Sequence, residues 1–169
     1  MIGQYAYFAA MVIHKHDILT LIQTRLRTDL SILEQAVALA RDTATHGDCL
    51  GSSKYETMAL EASYLAQGQG TRLLEVVRAL EYFKRLKPTA NTNIGLSSLV
   101  LLADEEAKQQ LLWLSPEAGG LKVPYHGLEV TVITPRSPLG QALLNHSAGD
   151  EIHITIAGKL RSYEIVEIY

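Results

Sequence analysis

The sequence predicts an α+β protein, in which an N-terminal antiparallel helical hairpin (a coiled coil) is followed by a small β-rich domain. Apolar residues recur with a seven-residue period over residues 17–87, which is typical of paired helices. Beyond Pro88 the period changes to the alternation typical of strands. Hydrophobic residues make up 47% of the chain and charged residues 20%, an ordinary globular balance that excludes disorder.

The first helix is predicted from about Asp17 to His46, with Asp17 as its N-cap. A polar turn that contains Asp48 then reverses the chain. Two apolar rows define the face of this helix that packs against its neighbour, as the a and d positions of a heptad repeat do. One row contains Leu19, Leu26, Leu33 and Ala40, and the other contains Leu30, Val37 and Ala44, with Gln23 as a polar exception.

The second helix is predicted to begin at Ser52 or Ser53, where Glu56 would complete a capping box, and to end before Pro88. Its apolar row reads in two registers, with a four-residue stutter between them that would locally unwind the coiled coil. Because Gly68 and Gly70 flank this step and weaken a helix, we expect a bend there. The registers are Met58, Ala62, Leu65, Gln69 and then Leu73, Val76, Leu80, Phe83.

The predicted domains are an N-terminal extension over residues 1–16, the coiled coil over 17–87, a polar linker over 88–95 and the β-rich domain over 96–169. Short apolar runs bounded by turn residues predict the strands, and Ser137-Pro138 marks the start of a short helix. The predicted strands are 99–103, 109–114, 128–133, 151–157 and 160–168, and the predicted helix is 138–145.

Charge and composition exclude several classes of function. Residues 88–169 hold five Lys/Arg against nine Asp/Glu, an acidic balance that disfavours direct specific DNA binding and suits a partner protein with a basic patch. The single Cys49 excludes an intrachain disulfide. The apolar start is too short to span a membrane and lacks a basic segment, so we expect no membrane association and no signal peptide. Either Met1 or Met11 could be the true start.

Several motifs resemble those of the Gre family of bacterial transcript-cleavage factors. Arg41-Asp42 through His46-Gly47-Asp48 is similar to the family's AR…GD segment, and Tyr55 stands where the family has the tyrosine of GDLKENAEY. Residues 133–144 (ITPRSPLGQALL) resemble the signature SP-[LI]-G-x-A-L-[LI]. Gly149-Asp150-Glu151 and Tyr163-Glu164-Ile165 are also similar, so the resemblance covers nearly the whole chain from residue 17.

The resemblance implies an FKBP-like C-terminal domain that docks on bacterial RNA polymerase at the rim of the secondary channel. The loop that meets the polymerase would contain Arg136, Ser137, Pro138, Leu139 and Gly140. The coiled coil would enter the channel, where two tip acids help to hold a Mg²⁺ ion and a water in the polymerase's own active site. The protein would then be a cytoplasmic accessory factor without enzymatic activity or a cofactor of its own, apart from this shared Mg²⁺. We expect a monomer, because two arms of equal length joined by a short turn can satisfy the seam within one chain.

The tip of the hairpin departs from the family pattern. Asp48 matches the first acid, but Gly51 occupies the place of the second, and Lys54 would oppose a metal ion. Tyr55 and Lys54 are candidate contacts, and Glu56 is the weaker candidate acid. We therefore favour a regulator that occupies the channel with weak or no stimulation of cleavage. The alternatives are a working cleavage factor that uses Asp48 and Glu56, and a structural coiled coil that self-associates.

Two further sites have simpler structural explanations. Trp113, Tyr125 and Tyr163 could line a prolyl-isomerase pocket, but in a chain with 7% aromatic residues we expect them in the core or at its rim. Asp48 could also serve only to cap the turn beside Gly47.

Overall fold

The computed structural model describes residues 12–47 and 53–169, and over these residues the protein has the predicted α+β fold. Its elements are α1 (Lys15–Gly47), α2 (Ser53–Arg85), β1 (Leu99–Asp104), β2 (Gln109–Leu114), β3 (Lys122–Tyr125), β4 (Leu128–Ile133), α3 (Pro138–Leu143), β5 (Glu151–Ile156) and β6 (Lys159–Ile168). Neither long helix of the described residues contains an apolar stretch sufficient to span a membrane.

The chain divides into two compact units. The helical unit is Ile22–Leu86, and the sheet unit combines the described residues up to Leu21 with Lys87–Tyr169. Because α1 runs unbroken across Leu21, this division does not decide the predicted domain boundaries, which stay predictions.

Within the helical unit, α1 buries the rows that its heptad repeat predicts. Leu26, Val37 and Ala40 are buried, and Leu30 and Leu33 are half-buried. The amide nitrogen Nε2 of Gln23 donates to the carbonyl oxygen of Phe83 at 2.9 Å, which brings the start of α1 to the end of α2. The two helices are therefore antiparallel.

The buried row of α2 follows an unbroken heptad spacing, so the predicted stutter is wrong. Met58 and Leu65 are 48% and 57% exposed, although the sequence pattern placed both in the seam. An unbroken heptad row is covered instead, and α2 is one helix through Gly68 and Gly70. Alanine fits a closely packed seam better than leucine does, so Ala66 takes the position predicted for Leu65. The row is Ala62, Ala66, Gln69, Leu73, Val76, Leu80 and Phe83.

The prediction that Asp17 is the N-cap of α1 is wrong. The helix begins at Lys15, and the carbonyl oxygen of His14 accepts from the backbone N–H of Asp17 at 3.0 Å and of Ile18 at 3.3 Å. Asp17 lies in the first turn, where its carboxylate is favourably placed for the helix dipole. The backbone N–H of His14 donates to the Tyr125 hydroxyl at 3.0 Å, a long-range bond that fixes where the helix begins.

Lys15 anchors the first turn of α1 within the sheet unit. Its Nζ donates to the carbonyl oxygens of Thr89 and Tyr169, both at 2.7 Å, and lies 5.6 Å from the centroid of the Trp113 ring. The residue is only 9% exposed. Burial lowers the pKa of Lys15 to about 8 from its ordinary value of 10.5.

This lowered pKa predicts that the sheet unit becomes more stable as the pH rises from about 8 toward 10. In that window the unfolded chain keeps the Lys15 proton that the folded chain has released, so the free energy of unfolding increases with pH, by at most about 1.4 kcal/mol per pH unit. Above pH 10 the free energy of unfolding decreases again. Burial and the hydrogen bond to Glu167 raise the pKa of Tyr169, so in this range the folded chain keeps the Tyr169 proton that the unfolded chain has released.

Urea unfolding followed by the fluorescence of Trp113, the chain's single tryptophan, measures this free energy. The rise should disappear in Lys15→Met and persist in the exposed control Lys87→Met. An unchanged slope in Lys15→Met would contradict the assignment.

The sheet has the strand order β3-β4-β2-β1-β6-β5, with β2 and β4 parallel and the other pairs antiparallel. Strand β3, which contains Pro124, was not predicted from the sequence. Proline is tolerated there because β3 is an edge strand. Helix α3 covers the end of one core, which contains Ile94, Val100, Leu102, Leu112, Leu114, Leu143, Ile152, Ile154, Tyr163 and Ile165.

Candidate functional site

The loop between β4 and α3 is the best-defined candidate site in the described residues. The Oγ of Ser137 accepts from the backbone N–H of Gly140 at 3.0 Å and donates to the carbonyl oxygen of Thr134 at 2.7 Å. The backbone N–H of Ser137 donates to the same oxygen at 3.0 Å. Ser137 is thus the N-cap of α3, as predicted, and Pro138 is in the first turn.

Gly140 makes this tight loop possible. It is buried, and a Cβ built on it would overlap the carbonyl oxygen of Thr134 and lie 2.9 Å from the Oγ of Ser137. Only glycine therefore allows the first turn of α3 to close over Thr134. Thr134 was not among the predicted site residues, although its position before Pro135 marks it as part of the turn.

The β4–α3 loop, held in place by the Ser137 cap, exposes one cationic side chain and one proline to solvent. Arg136 and Pro138 are exposed, and Leu139 is half-buried against the core. The carbonyl oxygen of Arg136 accepts from Nε2 of Gln141 at 3.4 Å, which ties the exposed segment to α3. Such a surface can bind an acidic or apolar partner surface without losing loop entropy.

Most of the predicted tip lies outside the described residues, including Asp48, Cys49 and Gly51. Lys54, Tyr55 and Glu56 occupy the first turn of α2, which begins at Ser53. The side chains of these three residues are also outside the described part, so their roles stay predictions.

Trp113, Tyr125 and Tyr163 belong to the core, with exposures of 0%, 3% and 8%. Residues 12–47 and 53–169 contain no group of three His, Cys, Asp or Glu side chains placed to hold a metal ion. An open cleft of about 430 Å³ lies at the other end of the sheet from the β4–α3 loop. Its walls carry both charge signs, from Asp104, Glu105, Glu106, Lys108, Lys159 and Arg161.

Comparisons with known proteins agree on one family. The family model described as "Transcription elongation factor, GreA/GreB, C-term" matches residues 126–169, which include the β4–α3 loop. The transcription elongation factor GreA of Paracoccus denitrificans is 30% identical over 136 residues, which cover 79% of each chain. GreA of Beijerinckia indica is 27% identical over 134 residues, again 79% of each chain.

Among solved structures, the GreA factor homolog 1 (Gfh1) protein of Thermus thermophilus is 22% identical to this chain. The match covers 88% of this chain and 95% of that one, with a TM-score of 0.38. The family assignment comes from the sequence relatives, which match both the helical and the sheet regions. The chain belongs to the GreA/GreB family of transcription elongation factors.

Proposed function

We propose that this protein binds bacterial RNA polymerase at the secondary channel and regulates elongation mainly by occupying that channel, with weak or no stimulation of transcript cleavage. It would act in the cytoplasm as a single copy and as an accessory factor. Any hydrolysis of RNA would be catalysed by the polymerase with its own Mg²⁺ ions.

The composition of the hairpin tip carries this proposal. A two-metal site needs oxygen ligands close to each cation, and a carboxylate is the useful contribution from a tip. The tip offers Asp48 but has Gly51 in place of the family's second acid, and it adds the cation Lys54. The negative charge that the tip can offer to a shared Mg²⁺ is therefore reduced. The two long helices that would carry the tip into the channel are still present.

The length of the hairpin supports channel occupancy. Each of its helices has 33 residues, which at about 1.5 Å per residue gives an arm of roughly 50 Å. Asp48, Lys54 and Tyr55 would lie deepest, with Glu56 as a weaker substitute for the missing acid. The β4–α3 loop, from Arg136 to Gly140, would form the docking contact on the outside of the polymerase.

The test uses a stalled, backtracked elongation complex of the cognate polymerase with labelled RNA, in which binding and the release of short 3′ fragments are followed together. We expect saturable binding with little or no acceleration of fragment release. Arg136→Ala should weaken binding, and the exposed control Arg161→Ala should not.

Rapid fragment release that is lost in Asp48→Ala would contradict occupancy and favour a working cleavage factor. The double variant Asp48→Ala/Glu56→Ala then decides whether Glu56 is the second acid. Absence of both binding and cleavage would overturn the polymerase proposal.

A further inference from the structure

Residues 58–66, within the first half of α2, are apolar on nearly all sides. From Met58 to Ala66 its sequence is MALEASYLA, with Glu61 as the only charge. The seam against α1 covers only one side of this segment. Large apolar side chains remain outside it, with Leu60 56% exposed and Tyr64 65% exposed. A helix that is apolar all round is normally buried on all sides, so this segment lacks a partner surface.

These side chains belong to an outer stripe along α2, made of Leu60, Tyr64, Gln67, Thr71 and Leu74. Each member precedes a seam residue by two positions and so lies about 200° around the helix from the seam. All five are exposed, with Leu74 at 62%. The outer stripe carries no charge, so it does not select a strongly acidic or basic partner.

The outer stripe can pair with the same stripe of a second copy, because its residues are placed nearly symmetrically about Gln67. Leu60 and Leu74 lie seven residues before and after Gln67, and Tyr64 and Gly70 lie three residues before and after it. In an antiparallel pair of α2 helices centred on Gln67, Leu60 meets Leu74 of the second copy and Tyr64 meets its Gly70. Such a two-fold interface requires one patch that complements itself.

Gly68 and Gly70 fit this arrangement, and neither is required for close packing among the described residues. A Cβ added to Gly68 or Gly70 would meet no atom within 4 Å. Both residues nevertheless weaken the helix relative to alanine. They lie one and three residues after Gln67, close to the point where two crossing helices would approach most closely, and Gly70 leaves room for the Tyr64 ring of the other copy.

We infer that the free protein forms a weak two-fold dimer through the outer stripe of α2. Leu60, Tyr64 and Leu74 expose roughly 300 Å² per copy, if a large side chain presents about 150–200 Å². A standard interface buries about 800 Å² per partner, of which somewhat more than half is apolar. The outer stripe supplies most but not all of that apolar area, so we expect a weak dimer. Because area alone does not set affinity, the test below covers Kd values of about 1–100 μM.

Sedimentation velocity of the full chain from 1 to 300 μM tests the dimer. The mass should rise from 18.6 kDa toward twice that value as the concentration increases. Leu60→Ser/Tyr64→Ser should remain monomeric across the range. The control Leu39→Ser removes a side chain that is 69% exposed on α1, and it should dimerise like the unmodified chain.

Disulfide trapping tests the register, in a Cys49→Ser background. Gln67→Cys should oxidise rapidly to a covalent dimer, because the two copies of residue 67 face each other across the two-fold axis. Gln35→Cys, an exposed position on α1, should not. Gly68→Gln/Gly70→Gln gives a test with two readouts, since it should raise the melting temperature of the hairpin and weaken dimerisation at least tenfold.

A chain that stays monomeric to 300 μM would overturn the inference. So would a dimer that persists in Leu60→Ser/Tyr64→Ser or that cross-links equally through residue 35. If the chain is monomeric and the Leu60/Tyr64 variant loses polymerase binding, the outer stripe belongs to the polymerase interface. Failure of polymerase binding with dimerisation intact would overturn only the proposed function.

Discussion

Gly140→Ala should destabilise the sheet unit by about 3 kcal/mol, the largest stability effect that we expect from a single methyl group in this chain. The added Cβ would overlap the carbonyl oxygen of Thr134, which already accepts two hydrogen bonds from Ser137. Relief requires the first turn of α3 to move away from the loop. Urea unfolding followed by Trp113 fluorescence reports this change, because Trp113 is buried in the same unit.

Gly68→Ala is the matched control for this substitution. A Cβ at Gly68 meets open space within a helix, so alanine should stabilise the hairpin by about 0.5–1 kcal/mol, measured by circular dichroism at 222 nm. The same chemical change should therefore have opposite signs at the two glycines. Equal effects would show that the close approach at Gly140 is not what constrains the loop.

Gly51→Glu/Lys54→Glu should convert the protein into a cleavage factor. The double change restores an acid at the position of the family's second tip carboxylate and removes the opposing cation. We expect fragment release from a backtracked complex to accelerate about tenfold or more, the size of effect that groups supporting a metal ion commonly have. The measurement is the rate of 3′ fragment release at saturating protein.

Gly51→Gln/Lys54→Gln provides the control, since it matches the size of the new side chains without their charge. Acceleration should require the carboxylates and should depend on Mg²⁺ concentration. A glutamine variant that accelerates release equally would indicate that shape, and not charge, limits the tip.

The fold was predictable because the apolar residues follow a clear seven-residue period in the hairpin and a clear two-residue period in the strands. The heptad rows gave the helical hairpin, and the Ile152–Ile154 alternation gave β5, whose two isoleucines are buried. The helix predicted to start at Pro138 does so, but it ends at Leu143 and not at Asn145. Strand β3 was missed because Lys122–Tyr125 is short and contains a proline, which only an edge position permits.

The candidate site was predictable only where a local motif fixes local geometry. Ser137-Pro138 specifies a helix cap regardless of what surrounds it, and the structure confirms that cap. The anchoring of Lys15 by carbonyl groups far along the chain has no local signature and was therefore not predictable from the sequence. Leu65 was misplaced in the seam because hydrophobicity ranks leucine above alanine, whereas a close helix contact favours the smaller side chain.

The anchoring of Lys15 also bears on the order in which the protein folds during synthesis. Its two carbonyl partners lie 74 and 154 residues further along the chain, so the sheet unit cannot complete its packing until the ribosome has released both segments. The hairpin needs only contacts within Ile22–Leu86 and can form earlier. In a nascent chain the hairpin should therefore fold before the first turn of α1 can form its hydrogen bonds to the Thr89 and Tyr169 carbonyl groups.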